Sequence, residues 1–238
     1  DIGPTRRVEQ LRGQHAQWGS ILSRVLHNRP GIYSLQFLSN YFDHFDGDFL
    51  FVNGDEIQRN KVPETGLLYL TDFVFVALGI VYLLRHPKSY SKVLWLWIFV
   101  APIASSLTFQ TPHALRAHSL VIPLTILTSA GMYSLINWNL RHWKLFVTCI
   151  LVIGYLWQSV RYLHEYYVHY PQTYPAAWEY GFKELVAYTE SVKDKYDQVW
   201  VTDNYDQPYI LFLFYSHYPP QLFQNNHELT FRDKFNFS

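Results

Sequence analysis

The chain has 238 residues, with 19 Lys plus Arg against 19 Asp plus Glu, so its formal net charge is zero. No global field gathers nucleic acid, and the single cysteine, Cys149, excludes an internal disulfide and any cysteine-based metal centre. Aromatic residues reach 18 %, while mean hydropathy is only −0.07, because two polar flanks dilute an apolar middle.

In chain order, Val8–Leu26 reads as a weak helix, broken at Asn28-Arg29-Pro30-Gly31. Residues 31–45 carry apolar side chains at 32, 35, 38, 42 and 45, a helical stripe too short and too polar to span a bilayer. Such a helix either lies along a membrane surface or packs on the rest of its segment. Asp43, Asp46, Asp48, Asp55, Glu56 and Arg59 follow. Their acid density suggests a metal, but Asp46-Gly47-Asp48 lacks the spacing of a calcium loop, and turn chemistry accounts for most of it.

Four apolar stretches then succeed one another at about 67–84, 93–109, 119–138 and 145–163. Each approaches the roughly 20 residues that cross a bilayer, with about 17 as the lower limit. Tyr and Trp gather at their ends, as they do where a ring is half buried and its polar atom wet. Asp72 lies inside the first stretch. Arg85, Lys88, Lys92, Arg141 and Lys144 flank the first and third loops, against Arg116 alone in the second, so the first and third loops are expected in the cytoplasm. Residues 1–66, 110–118 and 164–238 are then extracytoplasmic. In the loop 110–118, the Arg116 guanidinium can grip a lipid phosphate with paired hydrogen bonds, and His113 and His118 can add donors. The alternative is an arginine snorkelling to headgroups. His113 and His118 do not have zinc-site spacing.

Beyond the last stretch, Ala176–Lys195 has a helical pattern, Gln198–Thr202 reads as a strand, Asp203–Asp206 as a turn, and Gln207-Pro208 opens a helix to about Tyr215. Trp178-Glu179 can form an edge that contacts sugar or peptide, or it is a helix N-terminal turn favoured by the dipole. The expected fold is mainly α. An extracytoplasmic segment 1–66 with amphipathic helices precedes a transmembrane bundle 67–163 of about four helices, and 164–238 begins an outer α/β domain. The chain starts with Asp-Ile-Gly-Pro and is read as an internal fragment of a longer protein.

Several pieces resemble bacterial polytopic glycosyltransferases of the C superfamily, family 39, the protein mannosyltransferase-like group. They are Asn40-Tyr41-Phe42-Asp43-His44-Phe45, Asp48-Phe49-Leu50-Phe51, Gly54-Asp55, Gly66-Leu67-Leu68-Tyr69, Pro112-His113-Ala114-Leu115-Arg116-Ala117 ahead of Pro123, Trp178 to Gly181, and Tyr205-Asp206-Gln207-Pro208-Tyr209-Ile210. The resemblance covers roughly residues 30–225. It implies a plasma-membrane, multi-pass hexosyltransferase that moves a sugar from a polyprenyl-phosphate carrier to an acceptor on the non-cytoplasmic face. Arg116 and His113 are the lipid-phosphate candidates. Asp43, Asp55, Arg59, Trp178 and Glu179 are the sugar or acceptor candidates. The family's catalytic acid loop has no counterpart here, so no catalytic residue is assigned and the chain alone is expected to be inactive. No cofactor is implied, although the acid-rich segment is compatible with a divalent metal. Expected partners are membrane lipid, the sugar donor and an unidentified acceptor. A transporter is the rival reading, and the absence of Lys, Arg, Asp and Glu near the centres of the apolar stretches counts against it. A membrane-anchored outer binding or sensor module is the third reading.

Overall fold

The computed structural model describes residues 4–14, 20–137, 143–202, 207–226 and 235–237. These residues are mainly helical, and they divide into two compact units, Asp1–Tyr170 and Pro171–Ser238, each with its own apolar core.

The first unit opens with α1 (Pro4–Gln14), α2 (Ser20–Leu26) and α3 (Arg29–Asp43). The expected break at Asn28–Gly31 is the start of α3. Asn28 Oδ1 accepts the Gly31 N–H at 2.6 Å, and Pro30 sits in the first turn, where a missing donor costs nothing. α3 is inverted relative to a helix packed on a soluble core. It buries Asn40 and leaves Leu35 and Phe42 at 68 % and 64 % exposure.

The first two apolar stretches make shorter helices than their lengths suggest. α4 (Asp72–Arg85) has 14 residues, about 21 Å at 1.5 Å per residue. Residues just before it are tied elsewhere: Leu68 N–H donates to Leu50 O at 2.8 Å, and Gly66 lies so close that a Cβ would stand 2.5 Å from the same oxygen. That oxygen belongs to a π-helical turn, Asp48–Val52. α5 (Ser89–Val100) has 12 residues and stops ahead of Pro102, whose ring would clash with the carbonyl four residues back. α6 (Ile103–Ser106) follows the turn. The third and fourth stretches reach spanning length. A 3₁₀ turn, His118–Leu120, leads into α7 (Val121–Asn137), and α8 (Lys144–His164) runs through a π turn into α9 (Tyr170–Thr173). The runs His118–Asn137 (20 residues) and Lys144–Thr173 (30 residues) are long and apolar enough to cross a membrane. The expectation of about four full-length helices is therefore met by two helices of that length and two shorter ones.

α4 and α7 run parallel and touch backbone to backbone. Gly79 faces Leu127 and Gly131, Gly131 faces Phe75 and Gly79, and one turn further on the Tyr82 and Tyr133 rings meet at 5.8 Å. α8 is antiparallel to α4, because Tyr155 meets Phe75 and Asp72 while Ser159 and Arg161 reach back to Tyr69 and Glu64. The starts of α4 and α7 gather around Phe49, Leu50 and Phe51, which pack with Leu120 and Phe73. None of the side chains of α8 is buried.

The second unit contains α10 (Phe182–Val192), β1 (Val199–Val201), α11 (Pro208–Tyr215), α12 (Pro220–Asn226) and β2 (Phe235–Phe237). β1 and β2 pair in parallel, Val199 opposite Phe235. Phe182, Val186, Val201 and Phe212 form its core. The expected helix Ala176–Lys195 begins only at Phe182. Glu179 at φ 55° and Gly181 at φ 98° are left-handed, which ends the 3₁₀ turn Ala176–Trp178 and prevents one continuous helix. The expected turn Asp203–Asp206 lies outside the described residues.

Candidate functional site

The first unit ties a polar network together where α3 and α6 end. His44, just past α3, is fully buried. Its Nδ1 lies 2.7 Å from Asn40 O, and a carbonyl only accepts, so Nδ1 carries the proton. Nε2 is then the acceptor, taking the Ser105 hydroxyl at 2.7 Å and, weakly, the His113 N–H at 3.4 Å. Asn40 Nδ2 donates to Ser106 O at 3.1 Å. Burial pushes the His44 imidazole below its ordinary value of 6.5, and the neutral tautomer suits the network.

Asp55 is the second anchor. It is fully buried, and its oxygens accept three N–H donors: Ile57 at 2.8 Å, Asn60 Nδ2 at 2.9 Å and Ala114 at 2.7 Å. The last bond clamps the loop 110–118 onto the segment 53–60. Asp55 thus pins the two loops together. His113 is buried beside it, with Nδ1 at 3.6 Å from Asp55 Oδ2, too long for a hydrogen bond. Among the described residues this nitrogen has no hydrogen-bond partner. Burial lowers the His113 pKa; Asp55 opposes that shift and the Arg116 charge adds to it.

Arg116 stands exposed on the clamped loop. Its Nη1 donates to Thr108 Oγ1 and to Phe109 O, both at 2.8 Å, and its guanidinium lies 5.5 Å from the centre of the Phe109 ring. Among the described residues nothing accepts from Nε or Nη2. One nitrogen anchors the group, and the remaining N–H donors of the fork can pair with two oxygens of a carboxylate or phosphate.

The remaining sequence candidates fall elsewhere. Asp43 is half-buried at the end of α3, and its pKa is raised by burial and then by Asp46. Arg59 is exposed on the 3₁₀ turn that carries Asn60. Trp178, 59 % exposed, and the left-handed Glu179 belong to the second unit. The structure thus joins Asp55, His113 and Arg116 in one loop-to-loop junction, with Arg59 on its flank.

A second network corrects the reading of Asp72. Expected inside the first apolar stretch, it is the first residue of α4, where Oδ2 accepts the Tyr69 N–H at 2.9 Å and Oδ1 accepts the Tyr155 hydroxyl. Gln158 Nε2 donates to Thr71 Oγ1 at 2.7 Å. Beside it opens a cleft of about 290 Å³, lined by Asn53, Glu64, Tyr69, Gln158, Arg161 and Tyr162. From the sequence none of these is a site candidate: Tyr69 enters only within Gly66-Leu67-Leu68-Tyr69, and Tyr162 only as an aromatic at the end of an apolar stretch. The available signal was Tyr155, Gln158 and Tyr162, which interrupt an apolar run at helical spacing and so share one face of α8.

No protein-family model, curated protein or solved structure matches this chain.

Proposed function

We propose that this chain is the membrane-embedded part of a glycosyltransferase that takes a hexose from a polyprenyl-phosphate carrier on the non-cytoplasmic face. The exposed Arg116 guanidinium carries the reading. It is fixed by one nitrogen on a loop locked through Asp55, at the entry to an apolar helix, with donors left for a phosphate. An arginine that merely snorkels needs no such locked loop.

Membrane insertion is supported by α8, where Ile153 and Trp157 stay 65 % and 69 % exposed on a helix with no buried residue. In water, each fully exposed side chain of this kind forgoes about 1.5–3 kcal/mol of burial; hydrocarbon removes that cost. In this reading α4, α5, α7 and α8 alternate across the bilayer, local thinning and snorkelling flanking residues accommodate the short pair, and the two polar ends are extracytoplasmic. The cleft between Tyr69 and Arg161 opens beside the start of α4 and offers hydroxyl, amide and charged groups with aromatic walls, a combination suited to a sugar.

Binding, not turnover, is the test. The purified chain in detergent is titrated with a short-chain polyprenyl-phosphate mannose, and Arg116→Ala is expected to weaken binding by about tenfold or more. Arg116→Lys should recover part of the loss, since a point charge replaces a bidentate fork. Equal affinity for wild type and Arg116→Ala, or an equal loss for any anionic lipid, removes Arg116 from donor recognition.

A further inference from the structure

We propose that His164, Glu165 and His169 form a binding site for one first-row transition-metal dication. Each offers one ligand atom, and the three atoms lie within 4.8 Å of one another. The His164 and His169 rings approach edge to face, with centroids 4.8 Å apart and planes at 67°.

The local backbone produces this meeting. In an α-helix of 3.6 residues per turn, positions five apart point about 140° away from each other. Here the chain makes a π turn at Glu165–His169, with the Tyr170 N–H bonding to Glu165 O. Such i→i+5 closure widens the turn and brings residues five apart closer to one face, and π turns inside α-helices are frequent at functional sites. The turn is stiffened by a ladder of tyrosines. Tyr162 stacks on Tyr166 at 6.3 Å, and Tyr166 on Tyr170 at 5.8 Å. The nearest guanidinium on the helix, Arg161, is drawn off to Glu64 at 3.2 Å.

Two imidazoles and a carboxylate make a borderline donor set. It suits Zn²⁺, Ni²⁺, Co²⁺ or Cu²⁺, whereas Ca²⁺ and Mg²⁺ ask for oxygen ligands throughout. With Zn–N near 2.0–2.1 Å, the edge of a tetrahedron is about 3.4 Å. The ligand atoms must therefore close by up to about 1.4 Å, which rotamers of the exposed His164 and His169 and the half-buried Glu165 can supply. Three protein ligands leave one position for water or another small donor. The site does not rest on the glycosyl-transfer reading.

The experiment uses the full chain in detergent, free of any histidine tag, titrated with Zn²⁺ by calorimetry. One ion per chain is expected. His164→Ala and His169→Ala should each weaken binding by about tenfold or more, and the double variant should abolish it. His86→Ala, on an exposed helix end, should leave it unchanged. On the unaltered protein, Zn²⁺ should shield His164 and His169 from diethylpyrocarbonate, as mapped by mass spectrometry. Wild-type affinity no better than that of the double variant, or unshielded His164 and His169 at saturating Zn²⁺, overturns the proposal.

Discussion

Gly79→Ala is the sharpest test of the packing that holds the first unit together. In an exposed helix interior, Gly→Ala is stabilising by about 1 kcal/mol, because alanine loses less backbone entropy. At Gly79 the added carbon would stand 2.0 Å from Leu127 O and 2.9 Å from Leu127 C, both backbone atoms of α7. A carbon cannot approach an oxygen much closer than about 3 Å, so α4 and α7 must part by about 1 Å. Side-chain rotation cannot relieve a clash between backbones. Parting by that distance loosens contacts along Phe75, Leu83, Leu124 and Leu127, which are all buried. Overpacking of this kind costs about 1–3 kcal/mol, which outweighs the propensity gain at the upper end and cancels it at the lower. Gly131→Ala meets Phe75 O at 1.9 Å and should behave the same way, while Gly154→Ala on α8 meets nothing within 4 Å and should stabilise. Because both clashes part the same pair of helices, the double variant Gly79→Ala/Gly131→Ala should cost less than the sum of the singles. Thermal unfolding in detergent ranks the four variants. If Gly79→Ala stabilises as much as Gly154→Ala, the close contact of α4 with α7 does not exist.

Three further outcomes follow from the polar networks. Asp55→Asn turns one acceptor into a donor facing N–H groups of Ile57, Asn60 and Ala114. It should cost about 1–3 kcal/mol, and tryptic cleavage after Arg116 should accelerate; an unchanged cleavage rate would mean the loop is held by something else. Tyr155→Phe leaves the Asp72 carboxylate without its hydroxyl donor and should cost about 1–3 kcal/mol. Asp72→Asn should then be milder in that background than alone, a coupling that a double-mutant cycle in thermal unfolding reads directly. Burial holds His44 and His113 below 6.5 in the fold. As pH falls through 6.5 the unfolded chain takes up protons before the folded one does, so stability drops by at most about 1.4 kcal/mol per pH unit for each histidine. Asp43, raised above 3.8, works in the opposite sense and only at lower pH. Melting points measured from pH 7.5 to 5.5 should fall, and a His44→Gln/His113→Gln variant should show a shallower profile; parallel profiles would refute the assignment.

What could be read without coordinates was whatever depends on neighbours in the chain. Hydropathy summed over some twenty positions located α7 and α8 almost to their ends, since 119–138 became Val121–Asn137 and 145–163 became Lys144–His164. A proline tolerated in a first turn likewise marked the start of α11 at Pro208. The stripe at 32, 35, 38 and 42 identified α3, though not that Asn40 would face inward to meet Ser106, 66 positions away. Other features depended on distant partners. Gly66 and Leu68 look like the entry to a long helix until the Leu50 carbonyl claims them, and Asp72 looks stranded in hydrocarbon until Tyr155, 83 positions on, donates to it. Asp55 reads as one acid of a turn-rich segment and a sugar or acceptor candidate, and the Ala114 N–H brought across from another loop makes it a clamp between loops. β1 finds its partner β2 in the same way, and His164 meets His169 only because the backbone widens into a π turn. Local composition sets which segments shed water and coil, because burial and helix propensity add residue by residue. Which polar atoms are satisfied, and by whom, depends on loop closures whose ends composition does not specify.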